Sequence, residues 1–275
     1  MSDIDPDDVD PRRALWRRGS YEIVGDWIAH ASLAVLDHVA EVAGEPLDGR
    51  HLLDVATGTG VVAIEAARRG ASVVGIDLTD ELVEIARRRA SDAGVEVRFV
   101  IGDFDQLDDQ VSGDPFDVIT SSFGVIFSPD PSATLSGLGR LLASSGVIGV
   151  AGWDPAGVFI PSESLIELFP ERPPMLDMSP WTTEVESLCA GTAFEVAATH
   201  TDELLIPFAS VADAADQLER WAGGWAQLFE AFDGAGVGAE ARSRFVDHLA
   251  SFAVVGDGGI QLRARYHVSA LRHMS

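Results

Sequence analysis

The chain has 275 residues, 47% of them hydrophobic and 23% charged, so it can bury the core of one α/β domain carrying insertions. Its 44 acidic residues outnumber 19 basic ones, and the net charge of -25 would repel nucleic-acid phosphates and anionic membrane surfaces. All basic residues are arginines, which excludes mechanisms that need a lysine nucleophile or a phosphate-binding lysine.

Cysteine content and the amino-terminal residues bear on location. The single cysteine, Cys189, cannot form an intrachain disulfide, and residues 1–10 lack the basic and apolar regions of a signal peptide. No apolar run approaches the roughly 20 residues needed to cross a bilayer. We therefore expect a cytoplasmic protein with no membrane partner. No residue spacing indicates a metal site, and none indicates an oligomeric state.

Hydrophobic periodicity predicts the elements in chain order. Residues 1–12 are expected to form a disordered acidic tail and residues 13–48 the N-terminal cap helices, with a helical pattern from Ser20 to Gly44. The expected strands are 51–55, 72–76, 96–101, 116–121, 147–153, 194–208 and 260–271. The expected helices are 61–69, 81–90, 131–142, 182–190 and the stretch 211–255.

The alternation of strands and helices predicts a parallel, doubly wound α/β sheet. The main domain would span residues 49–275. Two insertions would interrupt it, a proline-rich segment at 154–180 and a helical segment at 209–256.

A glycine-rich loop follows the first strand and opens a helix, which is where open α/β sheets bind nucleotides. Gly58 and Gly60 allow the backbone to approach a pyrophosphate or another anionic group closely. Asp77 ends the second strand, 23 positions after Asp54, where a carboxylate can accept both hydroxyls of a ribose. With Ala63, the two glycines also satisfy the dinucleotide fingerprint, so on their own they leave NAD and other adenosine ligands open.

Further motifs follow in order: Gly102-Asp103-Phe104 after the third strand and Phe116-Asp117-Val118-Ile119 in the fourth. With these motifs the chain resembles the class I S-adenosylmethionine-dependent methyltransferases of the bacterial small-molecule type, most strongly over residues 50–153. The resemblance implies a Rossmann-like, mostly parallel sheet whose last strand is antiparallel, helical insertions that cap the substrate, and S-adenosylmethionine as cofactor.

The same resemblance implies ten cofactor-binding residues: Asp54, Ala56, Thr57, Gly58, Gly60, Asp77, Leu78, Asp103, Phe104 and Ser121. The residues from 54 to 60 would surround the methionine moiety, and Asp77 would accept from the ribose hydroxyls. Leu78 and Phe104 would flank the adenine, and Asp103 would receive its amino group. Ser121 would border the methyl group. The family usually has glycine at the position of Ala56 and a Pro-Gly-Gly turn at residues 144–146.

These features predict in-line methyl transfer to an oxygen, nitrogen or carbon atom of a small organic acceptor. No residue is assigned as a catalytic base, since an already activated methyl donor makes a base optional. Two alternatives fit the glycine loop, an NAD-dependent oxidoreductase and a non-catalytic module that binds an adenosine ligand. Nucleic-acid methylation is disfavoured, because Thr120-Ser121-Ser122-Phe123 stands where an Asn/Asp-Pro-Pro-aromatic element would be expected.

Apolar residues recur at helical spacing in the second insertion and predict an aromatic face over a lipophilic or aromatic acceptor. They are Leu218, Trp221, Trp225, Leu228 or Phe229, and Phe232. The alternative interpretation is that this stripe packs into the core.

Overall fold

A computed structural model describes residues 11–111 and 113–274. The strands are β1 (His51–Val55), β2 (Ser72–Asp77), β3 (Arg98–Ile101), β4 (Phe116–Ser122), β5 (Leu142–Trp153), β6 (Phe194–Phe208), β7 (Ala253–Gly256) and β8 (Gly259–His273). The α-helices are α1 (Pro11–Trp16), α2 (Tyr21–Ala43), α3 (Val61–Arg68), α4 (Asp80–Ala93), α5 (Leu107–Gln110), α6 (Pro131–Leu141), α7 (Glu163–Ile166), α8 (Val185–Cys189), α9 (Val211–Trp221), α10 (Gly223–Gly234) and α11 (Gly238–Phe252).

The strands form one twisted sheet in the order β3-β2-β1-β4-β5-β8-β6, and β7 pairs with β8 at one end. The first five strands are parallel to one another, whereas β8 is antiparallel to β5, β6 and β7. The predicted fold class, a mostly parallel doubly wound sheet with an antiparallel last strand, is therefore confirmed. The antiparallel β8 lies between β5 and β6, which distinguishes this sheet from the 3-2-1-4-5-6 order of dinucleotide-binding domains.

The helical prediction for 211–255 is wrong in three places. The stretch is divided at Ala222, which has an extended backbone, and again at residues 235–237, and helix α11 ends at Phe252. Residues from Ala253 onward form strand β7, because a two-residue Asp257-Gly258 turn closes a β-hairpin with β8. Gly258, the second residue of this turn, has a φ of 79°, a left-handed conformation that favours glycine.

Several other elements also begin or end at residues that differ from the predicted ones. The predicted tail 1–12 lies largely outside the described residues, but Pro11 and Arg12 belong to helix α1. Helix α8 begins at Val185 instead of residue 182, and β5 begins at Leu142 instead of residue 147. The insertion 154–180 is largely irregular, as predicted, apart from the short helix α7 and the start of a 3₁₀ turn at Ser179–Trp181.

The two halves of helix α2 contact different parts of the protein. Its carboxyl-terminal half packs on β5, where Gly149 leaves room for Val35 and Val39. Val24 and Ile28 continue the same helical face but are only half-buried. The amino-terminal half of α2 passes the glycine loop, since a β-carbon at Gly25 would lie 3.2 Å from Thr59 Oγ1.

Strands β6 and β8 extend past the carboxyl end of β5. Pairing of β5 with β8 ends at Trp153 and Tyr266, whereas pairing of β6 with β8 continues to Phe208 and Ile260. This antiparallel extension carries the three helices α9 to α11 to the edge of the sheet where the glycine loop lies. Within residues 11–111 and 113–274, no helix is both long and apolar enough to cross a bilayer.

Candidate cofactor-binding site

The loop after β1 turns sharply through three residues with left-handed backbone conformations. Ala56 has a φ of 56°, Gly58 of 54° and Gly60 of 83°. The loop is fixed to the neighbouring strand by a 2.9 Å hydrogen bond from the backbone N–H of Thr57 to the carbonyl of Ile76. An alanine in this conformation costs roughly 1–2 kcal/mol relative to glycine, so the position of Ala56 is held by its surroundings.

Gly124 explains how the loop accommodates an alanine where glycine is usual. A β-carbon at Gly124 would overlap the methyl group of Ala56 and come within 2.9 Å of Ser121 Oγ. The preceding Phe123 also has a left-handed backbone, with a φ of 55°. The segment after β4 is therefore shaped to the glycine loop, a long-range match that single-sequence motifs did not reveal.

Gly58 and Gly60 have different surroundings. A β-carbon at Gly58 would meet no atom within 4 Å, whereas one at Gly60 would lie 3.0 Å from the Ala86 β-carbon and 3.2 Å from Ile64. Gly58 thus faces open space in which a ligand could lie, and Gly60 lets helix α4 approach the loop.

Asp54 holds the loop to β4 from inside the protein. It is 1% exposed, and its carboxylate accepts hydrogen bonds from Thr57 Oγ1 at 2.6 Å and Thr120 Oγ1 at 2.8 Å. Burial raises the pKa of Asp54 to about 6, although the two hydroxyls favour its charged form. This geometry makes Asp54 a support for the loop, and the sequence motifs did not identify Thr120 as its partner.

Asp54→Asn is expected to remove part of the pH dependence of the free energy of unfolding. The native pKa of about 6 lies above the ordinary value of 3.8, so the folded state binds this proton more tightly than the unfolded state. The resulting stabilisation is full below about pH 4 and is lost as the pH rises through about 6, by on the order of 3 kcal/mol. Urea unfolding between about pH 4 and pH 7 measures the difference, with the exposed Asp92→Asn as control. Parallel wild-type and Asp54→Asn curves would contradict it.

Asp77 lies at the carboxyl end of β2 and is 8% exposed. Its Oδ2 accepts the backbone N–H of Gly58 at 2.8 Å, and its Oδ1 accepts that of Thr79 at 2.9 Å. Burial raises the pKa of Asp77, and these two N–H groups oppose the rise. Each oxygen keeps a further lone pair, so the carboxylate can still accept ribose hydroxyls while it holds the loop.

The expected adenine-binding residues lie at the ends of β2 and β3. Leu78 and Phe104 are half-buried immediately after these strands. Asp103 caps the 3₁₀ turn that follows β3 by accepting the N–H of Asp105 at 3.0 Å. Its carboxylate is also bound by Arg12 of helix α1, a partner that the sequence did not indicate.

The hydroxyl of Ser121 forms its hydrogen bonds within the protein. Its hydroxyl donates to the carbonyl of Val55 at 2.9 Å and accepts the N–H of Val125 at 3.1 Å. The side chain is 1% exposed. Ser121 therefore joins β1 to the turn after β4, and its hydroxyl already has two partners within the protein.

Aromatic residues surround the same edge of the sheet, but not in the predicted arrangement. Trp225 is 4% exposed, with its ring 4.3 Å from Phe245, so it belongs to the core of the helical insertion. Trp221 is half-buried, and its ring lies 5.5 Å from Trp27 of α2. Trp27 in turn contacts Phe208 at the end of β6. The aromatic pair that joins the insertion to α2 is thus Trp27 and Trp221.

Comparison with known proteins agrees with this geometry. The family model described as "Methyltransferase domain" matches residues 52–146. An uncharacterized protein of Mycobacterium tuberculosis is 32% identical over 161 residues, which cover 58% of this chain and 56% of that protein. A ubiquinone biosynthesis O-methyltransferase of Actinobacillus pleuropneumoniae is 35% identical over 116 residues, covering 41% and 49%. The chain thus spans about half the length of the curated relatives it matches.

Solved structures share the fold at low sequence identity. An S-adenosylmethionine-dependent methyltransferase of Thiobacillus denitrificans, in complex with S-adenosylhomocysteine, has a TM-score of 0.52 at 19% identity over 88% of this chain and 91% of that one. A similar complex from Geobacter sulfurreducens has a TM-score of 0.53 at 18% identity, with the same coverage. The fold is that of the class I S-adenosylmethionine-dependent methyltransferases. Residues 52–146 are thus similar to a methyltransferase domain, and both of these solved structures hold S-adenosylhomocysteine.

Proposed function

We propose that the protein transfers a methyl group from S-adenosylmethionine to a small, lipophilic or aromatic organic acceptor. The observation that carries this proposal is the loop between Asp54 and Asp77. Both carboxylates are buried and hold the loop, while the β-carbon position of Gly58 faces open space. A loop whose conformation is already fixed, with open space beside Gly58, suits a ligand that must be held in one orientation.

The residues present fit the cofactor. Asp77 has lone pairs left for two ribose hydroxyls, and the half-buried Leu78 and Phe104 can enclose an adenine between them. When bound, S-adenosylmethionine supplies a sulfonium that already activates its methyl group. The protein's contribution is then to orient the cofactor, align the acceptor atom with the methyl carbon and exclude water, which can supply roughly 7–11 kcal/mol.

The acceptor would lie between the amino-terminal half of α2 and the carboxyl ends of β4 and β5. Val24 and Ile28 are half-buried on the α2 face that continues toward this edge, and Trp27 and Trp221 stand beside it. On the sheet side, the rings of Phe123 and Trp153 stack with centroids 3.9 Å apart. This apolar lining favours a lipophilic or aromatic acceptor, and we propose that helices α9 to α11 cover it.

The net charge and one named relative bear on the chemical class of the acceptor. The net charge of -25 favours a small molecule over a nucleic acid. The cytoplasmic location of the protein stays a prediction. Because one relative is named as an O-methyltransferase, a phenolic or other hydroxyl oxygen is the first acceptor atom to test. The two alternatives, an NAD-dependent oxidoreductase and a non-catalytic binding module, predict different ligands or no turnover.

Asp77→Ala is expected to weaken S-adenosylmethionine binding at least tenfold, because hydrogen bonds to a charged acceptor are each worth about 1.5–3 kcal/mol. The variant also loses the partner of the Gly58 and Thr79 N–H groups, so a modest fall in stability should accompany the loss of affinity. Calorimetric titration with S-adenosylmethionine, S-adenosylhomocysteine and NAD measures the effect. Asp80→Ala is the matched control, since Asp80 is exposed on the adjoining helix.

Preferential binding of NAD by the wild-type protein would overturn the proposed function in favour of the oxidoreductase. Tight S-adenosylmethionine binding without methylation of any member of a panel of phenols, amines and carbon acids would favour the binding module. Unchanged affinity of Asp77→Ala would remove the ribose assignment.

A further inference from the structure

The segment from Arg12 to Tyr21, here called the strap, crosses the carboxyl ends of several strands. Four of the 19 basic residues lie within it, at positions 12, 13, 17 and 18. Arg17 binds Asp80 at 2.6 Å and Glu81 at 2.9 Å, at the start of α4 after β2. The ring of Trp16 lies 4.6 Å from that of Phe127, in the turn after β4. The strap therefore spans the opening above the candidate cofactor site.

The strap is firmly attached to the helical insertion at its other end. The N–H of Ser20 donates to the carbonyl of Trp221 at 2.9 Å, and Gly19 pairs with Ala222. A β-carbon at Gly19 would overlap the carbonyl of Trp221, and one at Gly223 would lie 2.7 Å from the carbonyl of Leu15. Such close contact joins the strap to the junction between α9 and α10.

On the cofactor side, Arg12 covers the carboxylate of Asp103. Its two terminal nitrogens face the two oxygens of Asp103, one of them at 3.4 Å, and Nη1 also binds Asp105 at 2.8 Å. With this guanidinium in place the side chain of Asp103 is only 10% exposed. Oδ1 of Asp103 thus accepts from both Arg12 and the Asp105 N–H, and the one lone pair left, on Oδ2, lies beside the guanidinium.

We propose that Arg12 competes with the adenine amino group for Asp103, so that the strap must release Arg12 before the cofactor is fully seated. This inference rests on the proposed function, which places adenine beside Asp103. Because the strap is joined to α9 and α10, release of Arg12 also removes one contact that holds helices α9 to α11 over the acceptor. Cofactor binding and the position of these helices are thereby linked.

Arg12→Ala is expected to bind S-adenosylhomocysteine about 2- to 10-fold more tightly than the wild type, because an internal competitor reduces the fraction of chains ready to bind. S-adenosylhomocysteine is the probe because it carries no net charge, so salt acts on the protein's ion pairs and little on the ligand. Stopped-flow association in the wild type should accelerate as NaCl is raised, and in Arg12→Ala it should be nearly independent of salt.

Arg17→Ala is the matched control. It removes an arginine from the same strap, but its partners Asp80 and Glu81 are exposed and are not assigned to the cofactor. Arg17→Ala should leave the affinity within twofold of wild type. An equal gain in both variants would show general loosening of the strap and overturn the competition, as would unchanged or weaker binding by Arg12→Ala. If the wild type binds neither S-adenosylmethionine nor S-adenosylhomocysteine, the proposed function itself fails.

Discussion

Replacing Trp225 by alanine is expected to lower the free energy of unfolding by about 3–5 kcal/mol, the usual range for truncating a buried aromatic residue. The ring packs against Phe245 and lies near His248, and the side chain is 4% exposed. His248 in turn contacts the carbonyl of Val158 at 3.1 Å, so the same core fastens the insertion 154–180 to α11. Urea unfolding followed by circular dichroism measures the loss.

Trp221→Ala is the matched comparison for that variant. Trp221 is half-buried where α9 meets α2, so its removal should cost clearly less stability and should lower turnover of an aromatic acceptor instead. Trp225→Phe, which keeps a ring in the core, should recover much of the stability lost in Trp225→Ala. A Trp225→Ala protein as stable as the wild type, with impaired turnover, would restore Trp225 as a residue of the acceptor cover.

The sheet could be predicted from sequence because its signals are local. β1 and β6 have the predicted bounds, and Gly44 ends helix α2 with a left-handed conformation, as its position indicates. Periodicity failed where two elements meet without a polar break. Residues 211–255 read as one helical stretch because apolar residues continue through both the Ala222 break and the start of β7. The Asp257-Gly258 hairpin turn was the available signal for β7.

The candidate site shows the same division between local and long-range information. The motif positions of Asp54, Gly58 and Asp77 come together around one loop, because they lie at or just after the carboxyl ends of the neighbouring parallel strands β1 and β2. Whether each faces a ligand or the protein depends mainly on residues far away in sequence. Thr120 donates a hydrogen bond to Asp54, the carbonyl of Val55 accepts one from the Ser121 hydroxyl, and Arg12 forms an ion pair with Asp103.

The aromatic stripe shows why periodicity could not select the residues that face the acceptor. A helix in a separate bundle has one apolar face for its own core and can have a second for a neighbouring surface. Phe229 and Phe232 lie with Trp225 in the bundle's core, whereas Trp221 lies at the end of α9 and meets α2. The extended residue Ala222 ends α9 after Trp221 and precedes α10, so Trp221 and Trp225 lie on different helices.

Gly58→Val is expected to reduce affinity for S-adenosylmethionine at least a hundredfold, because the new side chain would project into the open space that Gly58 now faces. Valine also disfavours the left-handed backbone, which should cost roughly 1–2 kcal/mol of stability or more. Gly94→Val separates these effects. Gly94 has a φ of 67°, its β-carbon position is likewise open, and it ends α4 away from the loop. Both variants should lose similar stability in urea unfolding, but only Gly58→Val should lose binding in calorimetric titration. Equal affinities in the two variants would mean that the loop is a turn and that the ligand lies elsewhere.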